Sequence, residues 1–446
     1  MGCVLWWVPA TRLAIGTAVS LLLLLLCGLP AVSSQLGTPV ASPQPGESAH
    51  SLPPAWLEFG PDGRLIARVI VESECPTLVV DGFKIGMTRR APASDAFPVV
   101  ACESTIPFGA ETALVLDQQL PLPDGPIRRI AVIGDTGCRV NDWEKKYQAC
   151  NDPDAWPFAQ VAQAVAALDP DLIVHVGDYL YRESPCPAGM AGCQGNPHGD
   201  NWATWDADFF TPAGSLLGTA PWVLMRGNHE TCDRNPVGWF TFLDPRQYEA
   251  TCQRFTEPYV TSLHGLSLAV IDSAEAADTS DTPEEAAEYA RQFDLLAEIT
   301  PPGSWLVTHR PVWGILERKT GEFDVENATY AAATGDSLKA NYALVLSGHI
   351  HVAETIAFGE TSDRPPQLIS GNAGTALDDV PTASPTAAEL GDPAVVDAET
   401  LFTFGFMTME PDEIGWIATQ RDKQGNPLLA CSLDVTGMHC GAPTTE

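Results

Sequence analysis

Five short polar clusters in this chain combine residue types that could bind metal ions. In chain order they are Gly134-Asp135-Thr136-Gly137, Gly177-Asp178-Tyr179-Leu180-Tyr181, Gly227-Asn228-His229-Glu230, Thr308-His309-Arg310-Pro311 and Gly348-His349-Ile350-His351. Hard carboxylate and phenolate oxygens suit Fe(III), and imidazole nitrogens suit Fe, Zn or Mn. A single Gly-Asp pair is a common turn, so each cluster alone is a weak signal. All five in this order, each after an apolar run, predict a metal site.

The apolar runs before the clusters predict the elements that position them. Strands are predicted at residues 129–133, 171–176, 222–225, 266–271, 305–307 and 343–346. Helical spacing predicts a helix over 157–167, and Thr282-Pro283-Glu284-Glu285 is a capping box that begins another helix. Strands that alternate with helices indicate an α/β domain. Such domains place their ligand sites at the carboxyl ends of the strands, where the clusters lie.

The segments on either side of this region differ in composition. Residues 1–33 carry Arg12, a long apolar stretch and Ala31-Val32-Ser33, which predict a signal peptide and a secreted or periplasmic protein. An uncleaved anchor stays open as an alternative, because the apolar stretch is long. Residues 34–55 are rich in Pro, Ser and Gly and predict a flexible linker. No later stretch is long and apolar enough to predict a stable membrane span.

Two further segments have the composition of strands and loops. Residues 56–125 contain short apolar runs, such as 65–71 and 77–80, that Gly, Pro and Asp interrupt. This pattern predicts a small N-terminal β domain. Residues 381–399 are rich in Pro, Ala and acidic residues and predict an exposed loop, whereas the alternation in 401–440 predicts closing strands.

Cysteine usage agrees with export from the cell. Of the 12 cysteines, Cys3 and Cys27 lie in the predicted signal segment, and ten remain. An even number in an exported chain predicts disulfides, and pairing between sequence neighbours is the simplest arrangement. The predicted pairs are Cys75/Cys102, Cys138/Cys150, Cys186/Cys193, Cys232/Cys252 and Cys431/Cys440.

The charge of the chain excludes some classes of partner. Its 57 acidic and 24 basic residues give a formal net charge of −33. Nucleic acid and anionic membranes repel such a surface, so neither is expected as a partner. A hydrophobic fraction of 45% excludes a wholly disordered chain. The oligomeric state is not indicated.

The five clusters together resemble the calcineurin-like metallophosphoesterases, and among these the purple acid phosphatases. The broad superfamily opens with Asp-x-His and continues with Gly-Asp-x-x-Asp. Here the first cluster has Gly137 and the second ends in Tyr181, as in purple acid phosphatases. The fourth cluster departs slightly, because Leu306 replaces the family's valine three residues before His309. The resemblance covers about residues 128–420 and implies a four-layer α+β sandwich, assigned to residues 126–440.

The resemblance also implies a dinuclear metal site and its ligands. Fe(III) would be held by Asp135, Tyr181 and His351, a divalent Fe, Zn or Mn ion by Asn228, His309 and His349, and both ions by the bridging Asp178. The implied reaction is the hydrolysis of a phosphomonoester by a metal-bound hydroxide. A phosphodiesterase or nucleotidase with the same ligands is one alternative. A metal-binding surface protein without catalytic activity is another.

Several neighbouring residues are candidates for other roles. The resemblance places His229 above the metals, where it would contact phosphate or protonate the leaving alkoxide, although a structural histidine is an open alternative. Glu230 could orient a ligand histidine. Arg310 could meet the substrate phosphate, and His198 could do so from the insert at 186–205. Tyr179 competes with Tyr181 by residue type, and only the spacing favours Tyr181.

Overall fold

The computed structural model describes residues 52–317, 323–335, 337–359, 361–379 and 392–443. The predicted signal peptide and most of the predicted linker lie outside these residues, as do residues 381–391 of the predicted loop. None of the described helices has the length and apolarity that a membrane crossing requires.

The described residues form strands and a few helices. The strands up to the first long helix are β1 (Trp56–Phe59), β2 (Leu65–Val71), β3 (Thr77–Val80), β4 (Phe83–Gly86), β5 (Thr88–Arg89), β6 (Val100–Thr105), β7 (Ala113–Val115), β8 (Gln118–Gln119), β9 (Ile130–Ile133), β10 (Val140–Asn141) and β11 (Lys146–Tyr147). The next are β12 (Leu172–His175), β13 (Trp222–Leu224), β14 (Tyr259–Leu263), β15 (Leu266–Val270), β16 (Ser304–Val307), β17 (Trp313–Glu317), β18 (Phe323–Glu326), β19 (Tyr342–Ser347), β20 (Ala353–Phe358) and β21 (Gln367–Ser370). The last are β22 (Val395–Leu401), β23 (Gly405–Pro411), β24 (Trp416–Asp422), β25 (Pro427–Asp434) and β26 (Gly437–Gly441).

Helices are fewer than strands. The α-helical segments are α1 (Phe158–Ala167), α2 (Trp202–Trp205), α3 (Gly214–Leu217), α4 (Pro236–Gly238), α5 (Pro283–Ile299) and α6 (Ala328–Thr334). Single turns of 3-10 or π geometry occur at Pro61–Gly63, Asp206–Phe210, Asn228–Glu230 and Trp239–Leu243. Helix α5 begins where the capping box predicted, since the Thr282 hydroxyl accepts the Glu285 N–H at 3.2 Å.

The first large sheet has eleven strands in the order β26-β25-β24-β23-β9-β12-β13-β1-β2-β6-β5. Its centre is parallel, with Val174 of β12 opposite Val132 of β9 and Val223 of β13. These strands are buried along their whole length, as the continuous apolar runs of parallel strands require.

The N-terminal segment 56–125 contributes strands to this sheet. Strand β1 runs parallel to β13, with Glu58 opposite Trp222, and β2, β6 and β5 extend the sheet beyond it. Only β4, β3, β7 and β8 form a small sheet of their own. The segment is therefore continuous with the large sheet and covers an edge of β13 that would otherwise be unpaired and apolar. The described residues all belong to one compact unit.

The second large sheet packs face to face with the first. Its seven strands have the order β14-β15-β16-β19-β21-β20-β22. The core between the sheets brings Val132 and Val174 together with Val270, Val307 and Leu346. Helix α1 packs on the outer face of the first sheet, and α5 and α6 pack on the outer face of the second. The four layers confirm the predicted α/β sandwich.

Most predicted strands agree with the structure, but the predicted loop at 381–399 is wrong in its last part. Residues from Val395 onward form β22, which pairs antiparallel with β20 and places Leu401 opposite Ala353. Pairing with β20 makes this segment a strand, because β-propensity depends strongly on tertiary context. The predicted closing strands are confirmed as β23–β26.

The disulfides confirm the predicted pairing. They join Cys75 to Cys102, Cys138 to Cys150, Cys186 to Cys193, Cys232 to Cys252 and Cys431 to Cys440. The second of these closes a loop that begins three residues after Asp135.

Candidate metal centre

The five polar clusters converge at one edge of the sandwich. Asp135 follows β9, Asp178 and Tyr181 follow β12, and Asn228 follows β13 of the first sheet. His309 follows β16, and His349 and His351 follow β19 of the second sheet. The carboxyl ends of parallel strands lie at the same edge of a sheet, so both sheets present their ligands to the same space.

The first group of ligands surrounds the Tyr181 hydroxyl. This oxygen lies 2.9 Å from Asp135 Oδ1, 2.8 Å from Asp178 Oδ2 and 3.0 Å from His351 Nε2. A phenol has a single proton to donate, whereas the two carboxylates only accept. Several lone pairs therefore point at one another in a buried space, an arrangement that a cation would satisfy. The donor set fits a hard metal ion.

The second group lies on the other side of Asp178. His309 Nε2 is 3.0 Å from Asn228 Oδ1 and 3.3 Å from Asp178 Oδ2. On the opposite side of the ring, His309 Nδ1–H donates to the Val176 carbonyl at 2.8 Å, which leaves the Nε2 lone pair to face the site. Donor atoms of Asp178, His309 and His349 lie within 4.8 Å of one another. Asp178 Oδ2 is thus shared by both groups, as a bridging ligand would be.

The ring of His349 is oriented by Asp278, a residue that the sequence did not single out. His349 Nε2 lies 2.8 Å from Asp278 Oδ2, which leaves Nδ1 for a metal. Asp278 also accepts from Arg310, so the guanidinium is engaged by a carboxylate beside the site. A carboxylate behind a ligand histidine fixes the tautomer and raises the basicity of the ligand. No motif surrounds Asp278, which lies in the loop between β15 and α5.

His229 lies over the first group of ligands. Its ring centroid is 3.8 Å from that of Tyr181, and its Nε2 is 3.8 Å from Asp178 Oδ2. Its Nδ1 is 3.1 Å from Glu183 Oε1, which Arg234 also contacts at 2.7 Å. Glu183 and Arg234 were not predicted, although Glu183 lies only two residues after Tyr181. With Nδ1 held by Glu183, Nε2 is the nitrogen that faces the ligands.

Arginine side chains, and not only carboxylates, lie beside the site. Arg139 NH1 is 3.2 Å from His351 Nδ1, and Arg310 NH1 is 3.0 Å from His349 Nε2. Asp378 accepts the backbone N–H of His351 at 2.9 Å. With Arg234 beside His229, each of three histidines has an arginine within hydrogen-bonding distance. These guanidinium groups could contact phosphate oxygens near the ligands.

Two other residues from the sequence analysis, Tyr179 and His198, lie away from the ligands. The hydroxyl of Tyr179 donates to the Met225 carbonyl at 3.0 Å, and its ring stacks on His175 with centroids 3.9 Å apart. Tyr179 therefore points into the core, and Tyr181 points to the site. The side chain of His198 is exposed and makes none of the described contacts with the ligands.

The sequence suggested that Glu230 orients a ligand histidine, but its carboxylate contacts the backbone instead. Its carboxylate accepts backbone N–H groups from Tyr179 at 2.9 Å, Leu180 at 3.1 Å and Gly227 at 3.1 Å. Burial raises the pKa of Glu230 to about 8. Glu230 therefore joins the backbones of the second and third clusters. Sequence spacing did not indicate these partners.

The backbone of the ligand loops is strained. Asp135, Asp178 and His349 have φ values of 56°, 61° and 71°, which are uncommon for residues with a side chain. Each such residue costs about 1–3 kcal/mol, which the surrounding fold must offset. Gly227 allows a related close approach, because any side chain there would collide with the Asp178 carboxylate. The clusters therefore fix the direction of the ligands through their backbone.

The electrostatics of the candidate ligands match their geometry. Burial raises the pKa of Tyr181 well above its usual value, and the Asp135 and Asp178 carboxylates raise it further. Burial alone would lower the pKa of His309, but the Asp178 carboxylate raises it to about 9. Burial lowers the pKa of His349, so that ring is neutral near pH 7. A metal ion must therefore displace protons from Tyr181 and His309.

Comparison with known proteins gives the class of this chain. Residues 128–353, slightly more than half of the chain, match the family model of calcineurin-like phosphoesterases. The chain belongs to this family, and its fold and site define a metal-dependent phosphoesterase, a hydrolase. No curated protein matches the chain in sequence.

Two solved structures share the fold. A purple acid phosphatase, PPD1 from yellow lupin (Lupinus luteus) seeds, is 12% identical with a TM-score of 0.54, and the match covers 84% of this chain and 72% of that one. The structure of PhoD is 12% identical with a TM-score of 0.52, and the match covers 89% of this chain and 93% of that one. At this identity the likeness concerns the fold alone, and it confirms the predicted resemblance.

Proposed function

We propose that this chain is an exported phosphatase that hydrolyses phosphomonoesters with an Fe(III) ion and a divalent Fe, Zn or Mn ion. The observation that carries the proposal is the position of the Tyr181 hydroxyl within 3.0 Å of Asp135, Asp178 and His351. A phenolate among carboxylates is a hard donor set that favours a trivalent iron. The disulfides support export, since they persist in oxidising compartments.

The proposed division of the ligands is the one that the family resemblance implies. In this proposal Asp135, Tyr181 and His351 hold the trivalent ion, Asn228, His309 and His349 hold the divalent ion, and Asp178 bridges them. When bound, the two ions supply positive charge for the phosphate oxygens and lower the pKa of water at the site. The pair also offsets the repulsion that an acidic protein surface exerts on an anionic substrate.

Protein side chains account for the remaining steps of the proposed reaction. His229 Nε2 faces the ligands, because Glu183 holds Nδ1 at 3.1 Å, and from there it can give a proton to the leaving oxygen. Arg234 and Arg310 lie beside His229 and His349, where they can bind phosphate oxygens. The exposed His198 remains a prediction, with no described contact that supports a role.

The experiment that tests the iron assignment compares two tyrosine variants. Purified protein should contain iron and show a visible tyrosinate-to-iron charge-transfer band. Tyr181→Phe should abolish the band and lower turnover. Tyr179→Phe is the matched control, because that hydroxyl contacts the Met225 carbonyl, and it should keep the band. A colourless protein with two divalent ions and full activity would contradict the assignment of iron.

A substrate comparison tests the proposed ester class. Nitrophenyl phosphate should be hydrolysed with a higher kcat/KM than bis-nitrophenyl phosphate across an acidic to neutral pH range. The reverse preference would make the chain a phosphodiesterase that uses the same ligands. Absence of hydrolysis in the metal-loaded protein would favour a metal-binding role without turnover.

A further inference from the structure

A tryptophan stands fully exposed on a hairpin that follows the first ligand loop. The hairpin consists of β10 and β11, and the side chain of Trp143 at its tip has 97% of its surface exposed. Tryptophan is highly buried on average, because its large apolar ring gains much from leaving water. An indole held in solvent at this position leaves its flat apolar face available to a bound molecule.

The hairpin holds this tryptophan in a defined place. The disulfide between Cys138 and Cys150 closes the loop that contains it. At the tip, Asn141 Oδ1 accepts the backbone N–H groups of Trp143 at 2.8 Å and Glu144 at 3.0 Å. Arg139 pairs with Glu144 at 2.6 Å across the base of the turn. The exposure of the indole thus belongs to an ordered turn and not to a frayed end.

The base of the hairpin contacts the candidate metal centre twice. Arg139 NH1 lies 3.2 Å from Nδ1 of the ligand His351. Asn141 Nδ2 donates to Glu183 Oε2, and the other oxygen of Glu183 lies 3.1 Å from His229 Nδ1. Two residues of chain span at most about 7 Å, so the Cα of Trp143 lies within that distance of the Cα of Asn141. The backbone of Trp143 therefore follows closely on Asn141, whose side chain contacts Glu183, the carboxylate that holds His229.

We propose that Trp143 is a stacking platform for a planar aromatic leaving group, such as the nucleoside of a nucleotide or an aryl alcohol. This inference rests on the proposed phosphomonoesterase function and names its substrate class. An exposed indole offers a flat apolar face that stacks on any aromatic ring and requires no particular hydrogen bonds. Loss of a stacking aromatic typically weakens binding by about 5-fold to 150-fold.

The test compares esters whose leaving groups differ in aromaticity. The metal-loaded full chain should show a lower kcat/KM for a nucleoside 5′-monophosphate in Trp143→Ala, by at least about 5-fold, with glycerol phosphate unchanged. Trp143→Phe should restore most of the activity on the nucleotide. Phe108→Ala is the matched control, since Phe108 is equally exposed in the loop between β6 and β7, and it should leave both substrates unchanged. An equal effect on both esters, or none, overturns the inference.

A binding measurement separates this inference from the proposed function. The dissociation constant of a non-hydrolysable nucleoside phosphonate, measured by calorimetry, should rise at least about 5-fold in Trp143→Ala. This result would support the platform even if wild-type protein hydrolysed neither ester, an outcome that would refute the proposed function alone. An unchanged dissociation constant would overturn the platform even in an active phosphatase.

Discussion

The two large sheets supply chemically different halves of the candidate centre. The first sheet provides the oxygen donors Asp135, Asp178, Tyr181 and Asn228, and the second provides the nitrogen donors His309, His349 and His351. The centre lies across the interface of the sandwich, so neither sheet alone can complete it. Metal binding and the packing of the two sheets are therefore coupled, since an ion that binds only the complete set stabilises the packed state.

The two halves also differ in how closely their donor atoms approach one another. In the first sheet, the phenol oxygen of Tyr181 lies within 3 Å of both the Asp135 and the Asp178 carboxylate, so several lone pairs face one another. Two of the three histidines of the second sheet are backed by acceptors, namely the Val176 carbonyl for His309 and the Asp278 carboxylate for His349. A cation would relieve the crowding of the oxygen donors, whereas protein acceptors already orient the rings of His309 and His349.

The largest expected effect comes from the residue shared by both groups. Asp178→Asn removes the bridging charge and should lower kcat/KM for a phosphomonoester on the order of 1,000-fold, because several kcal/mol of transition-state stabilisation depend on the metals. Metal content, measured by elemental analysis, should fall as well. Asp169→Asn is the control, since Asp169 also has a positive φ of 51° but is exposed on a loop. Full activity in Asp178→Asn would show that the oxygen half does not bind the metals.

A second effect concerns His309 and the stability of the metal-free protein. Burial lowers the pKa of His309, but Asp178 raises it to about 9, above the value of about 6.5 in an unfolded chain. A raised histidine pKa stabilises the fold fully below about pH 6.5, and the stabilisation is lost as pH rises through about 9. The loss should reach about 3 kcal/mol in chelator, measured by denaturant unfolding between pH 6 and 9.5.

Two comparisons isolate the contribution of His309. His309→Gln in chelator should show a smaller decrease in unfolding free energy over the same pH range. Metal-loaded wild type should do so too, because a metal ligand is already unprotonated at Nε2. If the metal-free variant and the metal-free wild type lose stability equally, the pairing of His309 with Asp178 does not govern this pH dependence.

The smallest of these effects tests how the nitrogen half is oriented. Asp278→Asn should weaken the divalent site by about 10-fold to 100-fold in metal affinity, because carboxylates behind ligand histidines contribute this much. Competition with a coloured chelator measures the affinity. Asp281→Asn, three residues away on the same loop and exposed, should leave it unchanged. An unaltered metal affinity in Asp278→Asn would show that the orientation of the His349 ring does not depend on that carboxylate.

Much of the site followed from the sequence, because its ligands obey a local rule. Each ligand lies directly after an apolar run, and parallel strands bring such ends to one edge. The choice of Tyr181 over Tyr179 rested on spacing, and the structure directs only the Tyr181 hydroxyl toward Asp135. The capping box at Thr282 and the neighbour disulfides were equally local signals, and both are confirmed.

The remaining features depend on contacts between distant parts of the chain. Asp278 reaches His349 across 71 residues, and Arg139 reaches His351 across 212, so no local pattern marks either. Strand β1 pairs with β13, which is similarly distant in the sequence. Composition alone predicted that the segment containing β1 is a separate domain. Such pairings depend on which strand edges and pockets remain open in the folded chain. Patterns within a single sequence do not contain this information.

The division of the donors between the two sheets affects the order in which the candidate centre is completed during synthesis. During synthesis the chain emerges from its N-terminus, so the oxygen donors up to Asn228 leave the ribosome well before His309 and the histidines after β19. The early chain can hold only half of the centre, and the second half arrives with the strands that close the core. Ions that need donors from both sheets would therefore bind after the sandwich assembles, and would then stabilise the assembled state.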